Sequence, residues 1–392
     1  MVDTLIELYV NDNEMHQIAL YKCLGYLCQD SEEGTLDNFS NKILNIIINR
    51  GILAQTSGLV RFAAVNALLN SLIFASKQFE TQETRTYIIG AIKRMCSRDG
   101  SMRTEIDPSG NQLIQPITVI GASLQLQNEI RLKGFECLVQ VGELYYECLE
   151  NEAADIFTLT SEVIGEIVRV GDNQQQTFTI QQNIPNNLSV NEDIALMALT
   201  FWAVVAEKEE LIQKKLRDQE LGIEKDNENE DEDDDDDDSQ DDVGIDLNNN
   251  DDERPRGSSD KDIPNISYHL CTRSCMQMAE ITFALFPLVD GKNQTQLTSY
   301  NSQTLLSIFS PDNWNLISAA ETLFGSVCKL VLCGEDLDDQ DLILIGKQFL
   351  RKTVEFVQQG FQRGDWAGAD SAVRTLGCLF EGVGSDSGAG IL

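Results

Sequence analysis

Apolar residues recur at i, i+3, i+4 and i+7 through one stretch after another of this chain. Prolines, which break such stretches, number only seven in 392 residues. The segments Ile18 to Leu27, Ala63 to Phe74, Ile130 to Leu149, Ile194 to Val205, Ser318 to Cys333 and Leu342 to Val357 all carry this period. Strict alternation is almost absent. A 3.6-residue period without a two-residue one predicts an all-α fold.

The helices also resemble one another. "LYKCLGYLCQD" (Leu20–Asp30) is echoed by "VNALLNSLIFA" (Val65–Ala75), "GFECLVQVGELYY" (Gly134–Tyr146) and "ALTFWAVVAE" (Ala198–Glu207). The echo continues in "AAETLFGSVCKLV" (Ala319–Val331) and "AVRTLGCLFEG" (Ala372–Gly382). Gly25 and Asn66 hold matching places about 41 residues apart, the spacing of two-helix HEAT or armadillo units. A helix pair cannot bury its apolar face alone, so such units stack into a solenoid. We therefore expect HEAT repeats over 1–206 and 265–392. Polar insertions are expected near 98–127, around Arg98–Pro116, and at 171–193, around Gly171–Asp193.

The span 207–264 is expected to be an acidic, largely disordered insertion. Glu224 to Glu253 carries 18 acids and one lysine, including the run Asp231–Asp238, and has almost no apolar residues to offset ordering. It supplies roughly half of the formal net charge of −35. One reading is a solvating linker, the other a mobile polyanion that contacts basic ligands. This balance argues against direct nucleic-acid binding, because phosphates demand a basic face.

Catalytic and metal chemistry is poorly supplied. His16 and His269 are the only histidines, and neither stands in ligand spacing with a cysteine pair. The ten cysteines form no CxxC, and most lie inside apolar helical patterns, which predicts buried thiols in a reducing compartment. There is no P-loop lysine signature and no GxSxG, and the glycine-rich "GVGSDSGAGIL" (Gly382–Leu392) follows a helix rather than a strand. We expect no enzyme, no cofactor and no metal. We expect no signal peptide, because an acidic, amphipathic segment follows Met1, and no apolar run of about 18 residues suggests a membrane span.

Two helices carry more apolar residues than stacking needs. In "NKILNIIINR" (Asn41–Arg50), Ile43, Ile46, Ile47 and Arg50 share one face of an α-helix, and Leu44 and Ile48 point away from it. In "TRTYIIGAIKRMC" (Thr84–Cys96), Ile89, Ile92 and Cys96 form the core stripe, with Tyr87 nearly opposite and Ile88 to its side. These off-face residues are either covered by neighbouring repeats or meet in an exposed groove for a short hydrophobic peptide. Trp314 and Trp366 stand at helix starts beside Asp312 and Asp365. Each pair either staples its turn or, on an inner wall, stacks on a lysine or arginine stem. Trp202 reads as core.

Seven blocks in order then resemble one family. They are "CLGYLCQD" (Cys23–Asp30), "SNKILNIIINRG" (Ser40–Gly51), "LVRFAAVNALLNSLIF" (Leu59–Phe74), "ECLVQVGELYYECLE" (Glu136–Glu150), "ALTFWAVVAEKEE" (Ala198–Glu210), "SPDNWNLISAAETLF" (Ser310–Phe324) and "RGDWAGADSAVRTLGCLFEG" (Arg363–Gly382). The family is that of the importin beta (karyopherin beta) nuclear transport receptors, and the resemblance covers its central portion only. It implies binding to FxFG nucleoporins, to basic import signals or the importin alpha adaptor, and to Ran-GTP, which releases cargo. It also implies a place in cytoplasm and nucleus, and at nuclear pores. The family's FxFG pocket falls on Leu44, Asn45 and Ile48 of one helix and on Thr84, Tyr87 and Ile88 of the next. Its acidic loop ends in a sequence matched by Asp312 and Trp314. The long acid run with Asp233, Asp234, Asp235 and Asp236 sits one repeat earlier. With Asp365 and Trp366 these are the expected contacts for basic cargo or Ran. The competing expectation is a HEAT scaffold of another class, or an acidic chaperone-like protein, neither of which needs an apolar pocket.

Overall fold

The computed structural model describes residues 13–31, 35–54, 56–97, 123–176, 187–220, 266–297, 316–332 and 340–384. Among them there is no strand. The elements are α1 (Glu14–Gln29), α2 (Asp37–Asn45) running into a π-helix (Ile46–Ile52), α3 (Gly58–Ser71), a short α4 (Ser76–Glu80) and α5 (Gln82–Cys96). They continue with α6 (Leu124–Leu144), α7 (Ala153–Gln176), α8 (Asn187–Glu220), α9 (Leu270–Leu297), α10 (Leu316–Leu332), α11 (Gln340–Gln362) and α12 (Trp366–Gly384).

These helices form two layers. The second helices of each pair, α1, α3, α6, α8, α10 and α12, pack one on the next in chain order. The first helices, the α2–π unit, α5, α7, α9 and α11, lie against their own second helices and touch along the other layer. One ladder of helix pairs results, as the repeat pattern predicts.

Local signals set the helix starts. Asn13 accepts from Met15 N at 2.9 Å, Ser57 from Val60 N at 3.3 Å and Ser123 from Leu126 N at 3.2 Å. Each side-chain oxygen satisfies an N–H that the first turn leaves free. Helix runs further than polar composition suggests. It takes up residues at both ends of the expected 171–193 break, because "GDNQQQ" holds no proline and glutamine is a good helix former. It also carries α8 past position 206 to Glu220 through "KEELIQKKLRDQE". The acid run itself lies outside the described residues.

The core is continuous along the ladder. Trp202 is 2% exposed, donates from Nε1 to Thr160 Oγ1 at 2.9 Å and packs edge-on to Phe201 with ring centres 5.1 Å apart. Farther along, Phe283 stacks on Phe356 at 4.0 Å and meets Phe324. Of the nine described cysteines, eight are buried and Cys23 is exposed, and burial pushes the Cys28 thiol up to about 11. Inert packing thiols are the outcome.

Buried ions tie successive pairs. Lys93 of α5 reaches Glu152 at 2.6 Å and Asp155 at 2.9 Å, at the start of α7. Arg131 of α6 donates to Cys96 O at 2.7 Å and meets Glu166 of α7 at 3.5 Å.

The return of the chain at α9 is held by one carboxylate. Glu209 of α8 is fully buried and accepts from Tyr146 Oη at 2.8 Å, Cys271 N at 3.1 Å and Leu270 N. Tyr146 Oη in turn accepts from Tyr268 N at 3.1 Å. Glu209 thereby caps α9 from a neighbouring helix, filling orphan N–H groups that the local sequence leaves open. Just before it, His269 takes a positive φ of 52° and its Nδ1 lies 3.3 Å from Gln213 Nε2.

Candidate functional site

The six residues expected to form an apolar pocket lie on neighbouring elements. Leu44 and Asn45 end α2, Ile48 lies in the π-helix, and Thr84, Tyr87 and Ile88 lie on α5, which packs against the π-helix. The hydroxyl of Tyr87 donates to Asn49 Oδ1 and bridges the two elements.

Their exposure differs from what an α-helical period assigns. Leu44 is 3% exposed, Ile48 0% and Ile88 2%, so all three belong to the core. Arg50, expected on the core face, is exposed. The cause is the π-helix. Leu53 N bonds to Ile48 O at 2.8 Å, an i→i+5 closure that takes more residues per turn than 3.6. The wider turn brings Ile46, Ile47 and Ile48 inward together, with Ile52. Gly51 makes this possible, because a Cβ there would lie 2.4 Å from Ala64 Cβ and 3.0 Å from the Tyr21 ring. Ile89, Ile92 and Cys96 do form the core stripe of α5.

The accessible part of the site is a polar and aromatic rim. Tyr87 is 38% exposed, and Asn45 and Asn49 are exposed. Asn49 Nδ2 donates to Asn45 Oδ1 at 2.6 Å, so Asn45, Asn49 and Tyr87 form one chain of bonds. Thr84 is half-buried, and its hydroxyl is held by Gln78 O and Thr81. Burial pushes the Tyr87 phenol up to about 12, against the opposing charge of Arg94, so it stays a donor. Asn49 carries this rim and is not on the expected list of six. Its signal in sequence is its place four residues after Asn45, which an α-helical reading assigns to solvent. The rim offers amide, hydroxyl and ring-edge contacts above a buried aliphatic layer.

The expected acidic contacts are placed less fully. Asp312, Trp314, Asp233, Asp234, Asp235 and Asp236 lie outside the described residues. Trp366 opens α12. Asp365 caps that helix, its Oδ1 accepting from Gly368 N at 2.6 Å, and its Oδ2 lies 3.5 Å from Arg363. Asp365 thus serves a helix end and a cation. Among the described residues no cluster of three or more His, Cys, Asp or Glu side chains could hold a metal ion. No helix among them is long and apolar enough to cross a membrane.

No family model matches the chain. Sequence relatives nevertheless agree. Importin subunit beta-1 of Schizosaccharomyces pombe is 21% identical over 386 residues, covering 97% of this chain and 31% of its own length. Importin subunit beta-1 of Arabidopsis thaliana is 26% identical over 192 residues, 49% of this chain and 16% of its own length. That of Saccharomyces cerevisiae is 25% identical over 190 residues, 47% of this chain and 16% of its own length. Among solved structures, yeast importin-beta (Kap95p) superposes with a TM-score of 0.56 at 18% identity, over 97% of this chain and 31% of that one. A Kap95:Nup1 complex gives 0.54 at 18% identity, over 97% of this chain and 30% of that one. The chain thus spans less than a third of the length of these relatives. Its fold is that of an importin-beta HEAT-repeat solenoid.

Proposed function

We propose that this importin-beta-like chain serves nuclear transport by binding FxFG nucleoporins, with the contact at the junction of α2, the π-helix and α5. The observation that carries this reading is the likeness to importin beta, in sequence and in fold, over nearly the whole chain. The Kap95:Nup1 neighbour adds a nucleoporin complex built on the same fold. The local geometry is compatible. Tyr87, Asn45 and Asn49 supply an accessible rim, and Leu44, Ile48, Thr84 and Ile88 stand beside it. A π-helix inside an α-helical unit is a rare element that concentrates at functional positions.

A Phe ring seating here must displace rim contacts before it reaches Leu44, Ile48 and Ile88. Opening the Tyr87–Asn49 bond is the first step of that path. Further roles extend the same reading. Basic import signals or the importin alpha adaptor would meet acidic residues such as Asp312 and the Asp233–Asp236 run, and Ran-GTP would release them. The chain acts in this scheme as a receptor, between cytoplasm and nucleus and at pores, with no catalytic step and no cofactor.

The test is retention on immobilised FxFG-repeat peptide. Leu44 is a poor choice for mutation, because truncating a buried leucine costs about 2–5 kcal/mol of stability and confounds the result. Tyr87→Asp and Asn45→Asp act at exposed positions. The wild type is expected to be retained, and each variant to lose roughly tenfold or more in affinity, since a carboxylate must be desolvated against an aromatic ligand. Circular dichroism should be unchanged. No retention of a folded wild type, or equal retention of both variants, would overturn the reading and favour a scaffold of another class.

A further inference from the structure

A second surface, in the other layer, has the form of a binding groove. It lies between α1 and α3 and has a volume of about 460 Å³, within the range of sites that take one or two side chains. The helices come close at Gly25, where a Cβ would lie 3.4 Å from Ala67 Cα. Small residues there, with Ala63, leave a floor between larger walls. Tyr26, 62% exposed, stands on α1 beside this floor, and Leu59, 53% exposed, stands on α3 about 12 Å nearer the start of that helix.

The polar groups at this groove are specific. Lys22 lines it, is exposed, and has no carboxylate partner among the described residues. Among the described residues no acid lines the groove, although the chain holds 64 acids against 29 bases. Asn66 and Asn70, one helical turn apart, also line it. Asn66 Nδ2 donates to Phe62 O at 2.9 Å and Asn70 Nδ2 to Gly25 O at 3.2 Å, which leaves each Oδ1 as an acceptor.

We propose that this groove binds an extended peptide segment of a partner protein that carries an aromatic side chain beside a carboxylate. The ring enters beside Tyr26 over the Gly25–Ala67 floor, and the peptide runs on along the groove to Leu59. The carboxylate pairs with Lys22, and peptide N–H groups donate to Asn66 and Asn70. The net charge does not forbid an acidic ligand, because exposed charges beyond about 8 Å are largely screened at physiological salt, whereas Lys22 acts at contact. The groove belongs to the second-helix layer and shares no residue with the α2–π–α5 rim, so it stands independently of the nucleoporin reading.

The test uses three fluorescein-labelled decapeptides, each with a central Trp flanked by Asp, by Ser or by Lys, and reads fluorescence anisotropy on the full chain. The Asp-flanked peptide is expected to bind most tightly. Lys22→Glu should weaken it roughly tenfold and strengthen the Lys-flanked peptide, as reversal of a contact charge does. Tyr26→Ala and Leu59→Ala should weaken all three peptides, and Tyr87→Asp should change none. These four positions are exposed, and circular dichroism checks that each variant folds. The proposal fails if the Lys-flanked peptide binds the wild type as well as the Asp-flanked one. It fails equally if Lys22→Glu leaves the order unchanged, or if no peptide binds.

Discussion

Replacing Trp202 with alanine will lower stability by about 3–5 kcal/mol, the usual range for removing a large buried aromatic. Trp202 joins three helices rather than filling one gap. Its ring meets Phe157 of α7 at 5.7 Å and Phe201 of α8 at 5.1 Å, and its Nε1 bonds Thr160 of α7. Its carbonyl accepts from Cys271 Sγ of α9 at 3.8 Å. Truncation removes the ring contacts and leaves a cavity that neighbouring helices cannot close without shifting the ladder. Thr160 keeps its bonds to Ile156 O and Phe157 O, so its hydroxyl is not orphaned. Trp202→Phe should cost clearly less, since most of the volume remains. Solenoids unfold in neighbouring units, so hydrogen exchange should rise first in α7, α8 and α9. A urea midpoint for Trp202→Ala equal to that of the wild type would contradict this assignment.

Glu209 carries the second large effect. In Glu209→Ala, Tyr146 Oη, Leu270 N and Cys271 N lose their acceptor in a buried place, at about 1–3 kcal/mol for each unsatisfied group. The expected loss is about 3–5 kcal/mol. Glu209→Gln keeps an acceptor for α9 and should cost little.

The same residue makes stability depend on pH. Burial pushes the Glu209 carboxyl from 4.5 up to about 7, against the bonds from Tyr146, Leu270 and Cys271 that favour its ionised form. The folded state therefore holds a proton that the unfolded state releases at lower pH. Stability from this group is full below about 4.5 and is lost as pH rises towards about 7, by about 3 kcal/mol at most. The readout is the difference between wild type and Glu209→Gln. The glutamine variant should gain on the wild type between about pH 5 and about pH 7.5. A constant difference across that window would show that Glu209 does not titrate there.

The helix pairs were legible in sequence because their period is local. Ile89, Ile92 and Cys96 already mark the inner face of α5. Trp202 was equally plain, set within an unbroken apolar run. The α-helical period sets Leu44 and Ile48 off the core face, but it does not hold through a π-helix, and of the two alternatives for these residues the structure has them covered. Three isoleucines and then Gly51 stand at that widening, but the contact that requires a glycine there, the approach of Ala64, exists only in the tertiary structure. The Glu209 cap was hidden for a related reason. Its partners Leu270 and Cys271 lie 61 and 62 residues along the chain, beyond any local signal. The α1–α3 groove likewise depends on Gly25 meeting Ala67 across two helices.

The proposed binding of FxFG nucleoporins at the junction of α2, the π-helix and α5 predicts where the chain becomes protected. Amide hydrogen exchange of the full chain, with and without a saturating FxFG-repeat peptide, tests it most directly. The account predicts slowed exchange over 45–53 and 84–90, with α10, α11 and α12 unchanged. Binding with no slowing in those segments, or with slowing confined to other helices, would contradict it.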